Sequence, residues 1–110
     1  MIRALLIDDD RNHAEGLERA LNQRGLITSC TASILEAVRR LQCREASIDL
    51  VVVVIADRWH PWLEILHQLQ QAAWQVGIGE FPLFLCVSRL NFGTQFQLQI
   101  ERMGARLVIE

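Results

Sequence analysis

Short apolar runs alternate with helical periods along the whole chain. Ile2 to Ile7 reads as a first strand, and its apolar run, Ala4 to Ile7, stops abruptly at Asp8-Asp9-Asp10. Arg11 to Arg24 follows with Ala14, Leu17, Ala20 and Leu21 on one face, the spacing of an amphipathic helix. Asp10 or Asn12 supplies its N-cap and Gly25 its stop. Ile27 to Thr31 is short and rich in β-branched residues, which predicts a second strand. Ser33-Ile34-Leu35-Glu36 is a capping box, so a helix starts at Ser33. Its apolar face uses Ile34, Leu35, Val38 and Leu41, and it runs to about Arg44.

Asp49 to Ala56 contains Val51-Val52-Val53-Val54-Ile55, an unbroken β-branched run. A strand without alternation suits the middle of a parallel sheet, covered on both faces. Pro61 then opens a helix at its favoured first-turn position, with Leu63, Leu66, Leu69 and Ala73 turned inward. Gln75 to Glu80 holds two glycines and reads as a loop. Phe81 to Val87 is a fourth strand, with Pro82 at its tolerated start. Phe92, Phe96, Ile100 and Met103 mark a fourth helix, closed by Gly104. Arg106 to Ile109 is a fifth strand.

Strand and helix in strict alternation predict an α/β domain with a parallel sheet and right-handed crossovers. The 110 residues make one domain over positions 1–110, and with 51% of them hydrophobic a substantial core can form. No apolar stretch is long enough to span a membrane, and Asp8 to Asp10 interrupt any signal-peptide core, so a cytoplasmic protein is expected. The net charge of -2, with no basic run, argues against direct nucleic-acid binding. The three cysteines, Cys30, Cys43 and Cys86, match no zinc spacing and read as small core residues. No nucleophile–base spacing and no Gly-rich phosphate loop occurs, so no catalytic residue is assigned and no enzyme is expected.

The chemistry concentrates at two strand tips. An apolar strand ends at Asp8-Asp9, and the valine strand ends at Asp57. In an open α/β sheet, ligands bind at the carboxyl edge of the strands. If the two strands are neighbours, Asp8, Asp9 and Asp57 converge on one spot with the oxygen ligands that Mg2+ prefers. Asp10 is expected to be a solvated helix-start charge. His13 and His67 read as surface positions. His60 reads as an exposed loop residue or a phosphoryl contact. Trp59 and Trp62 read as packing residues or a docking surface.

Ala4-Leu5-Leu6-Ile7-Asp8-Asp9-Asp10 resembles the first strand and acidic loop of response-regulator receiver domains, and the likeness runs the length of the chain. The resemblance implies a flavodoxin-like fold, a parallel five-stranded sheet of order 2-1-3-4-5. It implies Mg2+ held by Asp8, Asp9, Asp57 and the Trp59 backbone carbonyl. It makes Asp57, four residues before Pro61, the phosphoacceptor for a histidine kinase or phosphotransfer protein. Ser88 is the residue implied to contact the phosphoryl group, and an effector domain or protein would receive the signal.

The sequence also departs from that family. The pattern Asp-Leu-Val-x-x-Asp, started at Asp49-Leu50-Val51, reaches Val54 rather than Asp57; the Asp-to-Pro spacing favours Asp57. Ser88 fits only with a one-residue slip. The family's essential Lys after the fifth strand has no counterpart here: all eleven basic residues are Arg, and the sequence stops about one residue before that position. Arg is a poor replacement in tight geometry. No Tyr provides the switch aromatic. The last helix of the fold is missing, which leaves apolar surface beside the first, third and fifth strands for a second copy or an intramolecular partner. Three readings follow. The first is a phosphorylated receiver, part of a longer regulator. The second is a pseudo-receiver that acts as an interaction and dimerisation module. The third is the assembly domain of a larger enzyme.

Overall fold

The computed structural model describes residues 2–43, 47–75 and 82–110. Nine elements alternate: β1 (Arg3–Ile7), α1 (Arg11–Gln23), β2 (Ile27–Thr31), α2 (Ile34–Gln42), β3 (Leu50–Ile55), α3 (Trp62–Gln75), β4 (Leu83–Ser88), α4 (Thr94–Arg102) and β5 (Arg106–Ile109). The strands form one parallel sheet in the order β2-β1-β3-β4-β5. This is the flavodoxin-like arrangement expected, with four helices among the described residues.

Local signals account for most boundaries. The Asp10 side chain accepts from the His13 amide and caps α1. The Ser33 hydroxyl accepts from the Glu36 amide and caps α2, worth about 1 kcal/mol. Gly25 takes a φ of 88° after α1, a conformation that costs glycine little. The helix starting at Ser33 ends at Gln42, short of Arg44, which lies outside the described residues. The expected loop from Gln75 to Glu80 and the expected strand start at Phe81 also fall largely outside them. Among the described residues, the fourth strand begins at Leu83 and extends to Ser88.

β3 is the spine. Val51 through Ile55 are all buried, as a strand covered on both faces requires. Its side chains alternate between two cores. Val51, Val53 and Ile55 join Leu5, Ile7, Leu66, Leu69 and Ile100 under α2, α3 and α4. Val52 and Val54 join Leu6, Ala14 and Val87 under α1. Each fully buried aliphatic side chain contributes roughly 1.5–3 kcal/mol. The inner face of α3 is slightly rotated from the periodicity reading: Ile65, Leu66, Leu69 and Ala72 are buried, while Leu63 and Ala73 only pack against the core.

Among the described residues, three helices therefore cover one face and α1 alone covers part of the other. The uncovered strip lies on β4 and β5, where Leu83 and Val108 are exposed and Leu85 is half-buried. Beside β1 and β3 the expected bare surface is absent, because Leu6, Val52 and Val54 are buried.

Candidate functional site

The carboxyl edge of the sheet carries both acidic tips, but they are built differently. Asp8 follows β1 directly, and its amide donates to the Thr31 carbonyl, so the backbone stays bound to the sheet. Its side chain is fully buried. One carboxylate oxygen accepts from the Asp10 amide at 3.0 Å. The other meets His13 Nδ1 at 2.5 Å. His13 sits on the first turn of α1, so the helix start brings its ring back over the strand tip. Its Nε2 lies 2.8 Å from both carboxylate oxygens of Glu110, just beyond β5. Burial pulls the His13 pKa down, but the hydrogen bonds to Asp8 and Glu110 outweigh it and hold it above the ordinary value. The surface position expected for His13 is thus corrected: its side chain is only 12% exposed.

Asp57 lies two residues past the end of β3 and closes a turn on itself. One oxygen accepts from the Trp59 and His60 amides, both at 3.0 Å. The other meets His60 Nδ1 at 2.7 Å. The His60 amide above all, then the His60 ring and the Trp59 amide, outweigh a smaller desolvation effect and hold this carboxyl below the ordinary carboxylate pKa. Trp62 Nε1 donates to the Asp57 backbone carbonyl at 2.9 Å, which pins the turn to the start of α3. Trp59 itself is almost wholly exposed.

The three carboxylates expected to converge are therefore not assembled into a metal site. Among the described residues, no three His, Cys, Asp or Glu side chains are grouped so as to hold a metal ion. The reason is register. The pairing of β1 with β3 ends at Ile7 and Val53; Asp8 is one residue past Ile7, while Asp57 is four past Val53. Asp9 is exposed. Both oxygens of Asp8 and both of Asp57 already accept hydrogen bonds, and a histidine ring stands against each. A hard divalent cation needs free oxygen ligands. The residues as arranged do not fit Mg2+.

Ser88 is fully buried at the end of β4. Its hydroxyl donates to the Leu90 carbonyl and accepts from the Leu90 amide, so its hydrogen bonds serve its own turn. Asp10 is the helix-start charge expected, capping α1 with a side chain 42% exposed, and it also accepts from Arg89 at 3.0 Å. The His13 amide first, then Arg89, hold its carboxyl below the ordinary range. Arg58 donates to the Asn91 carbonyl and lies over the Phe92 ring. The Cys86 thiol is pushed up to about 12 by burial, and that of Cys30 to about 12 by burial and the neighbouring Glu18, so both stay protonated.

Among the described residues, no helix is long and apolar enough to cross a membrane. No family model matches the sequence, and no curated protein matches it. Solved structures match its fold over the full length. The receiver domain of the Francisella response regulator 1452 superposes with a TM-score of 0.78 at 15% identity, covering 100% of this chain and 84% of that one. The Vibrio cholerae chemotaxis protein CheY4 gives 0.78 at 16% identity, covering 100% and 87%. The Thermotoga maritima response regulator TrrA, in complex with Mg2+ and BeF, gives 0.73 at 18% identity, covering 100% and 87%. The order of the strands, the split of the helices between the two faces and these superpositions agree: this chain has the fold of response-regulator receiver domains.

Proposed function

We propose that this domain is a phosphorylation-independent, receiver-like interaction module of the cytoplasm, with no catalysis of its own. One observation carries the reading: the pairing of β1 with β3 ends at Ile7 and Val53, and Asp8 and Val54 each stand one residue past it. That is where the Asp-Leu-Val-x-x-Asp pattern of receivers would have its acceptor, and a buried valine accepts no phosphoryl group. Its partners in this reading are proteins. The apolar strip of Leu83, Leu85 and Val108 offers contact area to a second copy or an effector.

The rival reading keeps Asp57 as phosphoacceptor for a histidine kinase, with Mg2+ and a change in effector contacts. It is favoured by the position of Asp57 at the carboxyl edge and by a side chain that is 21% exposed. Incubation with Mg2+ and acetyl phosphate, followed by intact mass measurement, separates the two. No added phosphoryl group is expected on folded protein. A gain of one phosphoryl group that disappears in Asp57→Asn would overturn the proposal. Sedimentation at rising concentration tests self-association: dimerisation supports the strip as a contact between copies, and a persistent monomer removes that role.

A further inference from the structure

β5 (Arg106–Ile109) closes the sheet, and its outer edge is unpaired among the described residues. Such an edge is a template for another strand unless something blunts it. The opposite edge, β2, carries the polar residues Thr28, Ser29 and Thr31. β5 instead leads into Glu110 as Arg106-Leu107-Val108-Ile109-Glu110, three apolar residues between opposite charges. Val108 is 49% and Ile109 51% exposed, so apolar surface is open on both faces of the strand. The Glu110 amide donates to the Ser88 carbonyl on β4. Backbone groups alternate in direction along a strand, so those of Leu107 and Ile109 point to the open edge. Arg106, Val108 and Glu110 share the α1 face, where Val108 pairs with Val87 and Glu110 reaches His13.

We propose that β5 pairs antiparallel with β5 of a second copy, about a twofold axis through Val108. The occupant is chosen by charge. Read in opposite directions, the two segments set Arg106 of each copy opposite Glu110 of the other, and Leu107 opposite Ile109. Leu107 and Ile109 are the residues whose backbone groups face outward, so they exchange hydrogen bonds across the axis. Arg106 and Glu110 then fall at non-hydrogen-bonded positions, where opposed Cα atoms are only about 4.5 Å apart and side chains come closest. Opposite charges there stabilise the pairing. Centring the axis on Leu107 or Ile109 breaks both charge pairs, so the register is specified. Arg106 is exposed and forms no ion pair among the described residues. Glu110 meets His13 on one side, yet its side chain is 45% exposed and a carboxylate can accept a further donor. The pairing joins the two sheets into one and sets the apolar strips of the two copies side by side. It names a second copy as the partner of the interaction module proposed above, and it rests on that reading.

Sedimentation of the 110-residue chain and its charge variants tests this. The wild type should dimerise as concentration rises. Arg106→Glu sets Glu against Glu at both charge pairs, and Glu110→Arg sets Arg against Arg. Each variant alone should weaken the dimer roughly tenfold or more. An equimolar mixture of the two should dimerise again, because every pair across the axis is then Arg with Glu. A wild type that stays monomeric overturns the proposal. So does a wild-type dimer that Arg106→Glu leaves intact, since the contact then lies elsewhere. Two folded variants that fail to recover on mixing overturn it as well. Glu110→Arg also takes a partner from His13, so a second measurement avoids that residue. In a Cys43→Ser background, which removes the exposed native thiol, Val108→Cys should cross-link between copies under mild oxidation and Leu83→Cys should not. Equal cross-linking at both positions, or none at Val108→Cys, overturns the proposal. The two proposals fail separately: a monomer without added phosphoryl mass sinks only the β5 pairing, and added phosphoryl mass sinks the functional reading whether or not the copies pair.

Discussion

Asp8 and Asp57 each close an apolar strand at the same edge of one sheet, and each has a histidine against its carboxylate. The histidines come from different distances in the structure. Asp8 is buried, stays within the strand pairing, and is tied through His13 to Glu110 at the opposite end of the chain. The Asp57 carboxylate, among the described residues, is bonded to residues two and three positions on, in a partly exposed turn. The first acid belongs to the tertiary structure and the second to a local loop. Distant partners make a carboxylate costly to remove, and near neighbours make it cheap. A shared position at a sheet edge therefore does not imply a shared role.

The strongest test places an acid where the register would want one. Val54 is 4% exposed and packs with Leu6, Val52 and Val87. Val54→Asp buries a carboxylate beside Asp8 with no partner of its own. A loss of roughly 3–5 kcal/mol is expected in urea unfolding. A cost near zero would mean that this face of β3 opens to water, and the register argument would fail with it.

Asp8→Ala comes next, with an expected loss of about 3 kcal/mol, because it leaves the His13 ring nearly buried with one partner gone. Asp8→Asn keeps an oxygen for the Asp10 amide and should lose less. An Asp8→Ala loss below that of Asp57→Ala would reverse the comparison.

The two acids also differ in how pH acts around them. The folded pKa of His13 lies above its ordinary 6.5. The folded state thus holds this proton more tightly than the unfolded state. Its stabilising effect is complete below the ordinary value and fades as pH rises through the raised one. The folded pKa of Asp57 lies below its ordinary 3.8. Its effect is present above the ordinary value and fades as pH falls through the depressed one. In urea midpoints measured across pH, the gap between wild type and His13→Gln should therefore close toward alkaline pH. The gap between wild type and Asp57→Asn should close toward acid pH, and by less, because that carboxylate is partly screened by water. Gaps that close in the same direction would mean the two sites are coupled.

How much of this was readable in the sequence follows the same division between local and distant. The element order came from periodicity, and so did the Ser33–Glu36 cap and the central place of the valine run, because each is a relation among residues a few positions apart. The receiver likeness supplied the strand order. What the sequence did not yield was register. The interval from Asp57 to Pro61 is a loop length and says nothing of how β3 pairs with β1. Asp49 accepts from the Arg3 amide at 2.9 Å just before β3, and the pairing that follows runs from Ala4 with Leu50 to Ile7 with Val53. His13 was missed because its second partner, Glu110, is 97 residues away. A weaker clue was present: a histidine on the first turn of a helix, five residues after a strand-tip aspartate, is within reach of it.

Asp57→Ala should have the smallest effect, under about 1 kcal/mol. The substitution frees the Trp59 and His60 amides, but both lie in a turn that water reaches, so neither is left buried and unpaired. The bond from the Trp62 indole goes to the Asp57 backbone carbonyl and survives the change. The turn should therefore keep its attachment to α3, and Trp62 fluorescence should stay near the wild-type spectrum while the urea midpoint moves slightly. Asp57→Ser, which retains a hydroxyl acceptor, should recover part of the shift. A loss comparable to that of Asp8→Ala, with a red-shifted Trp62, would show that the turn helps hold α3 on the sheet and would remove the distinction between the two acids.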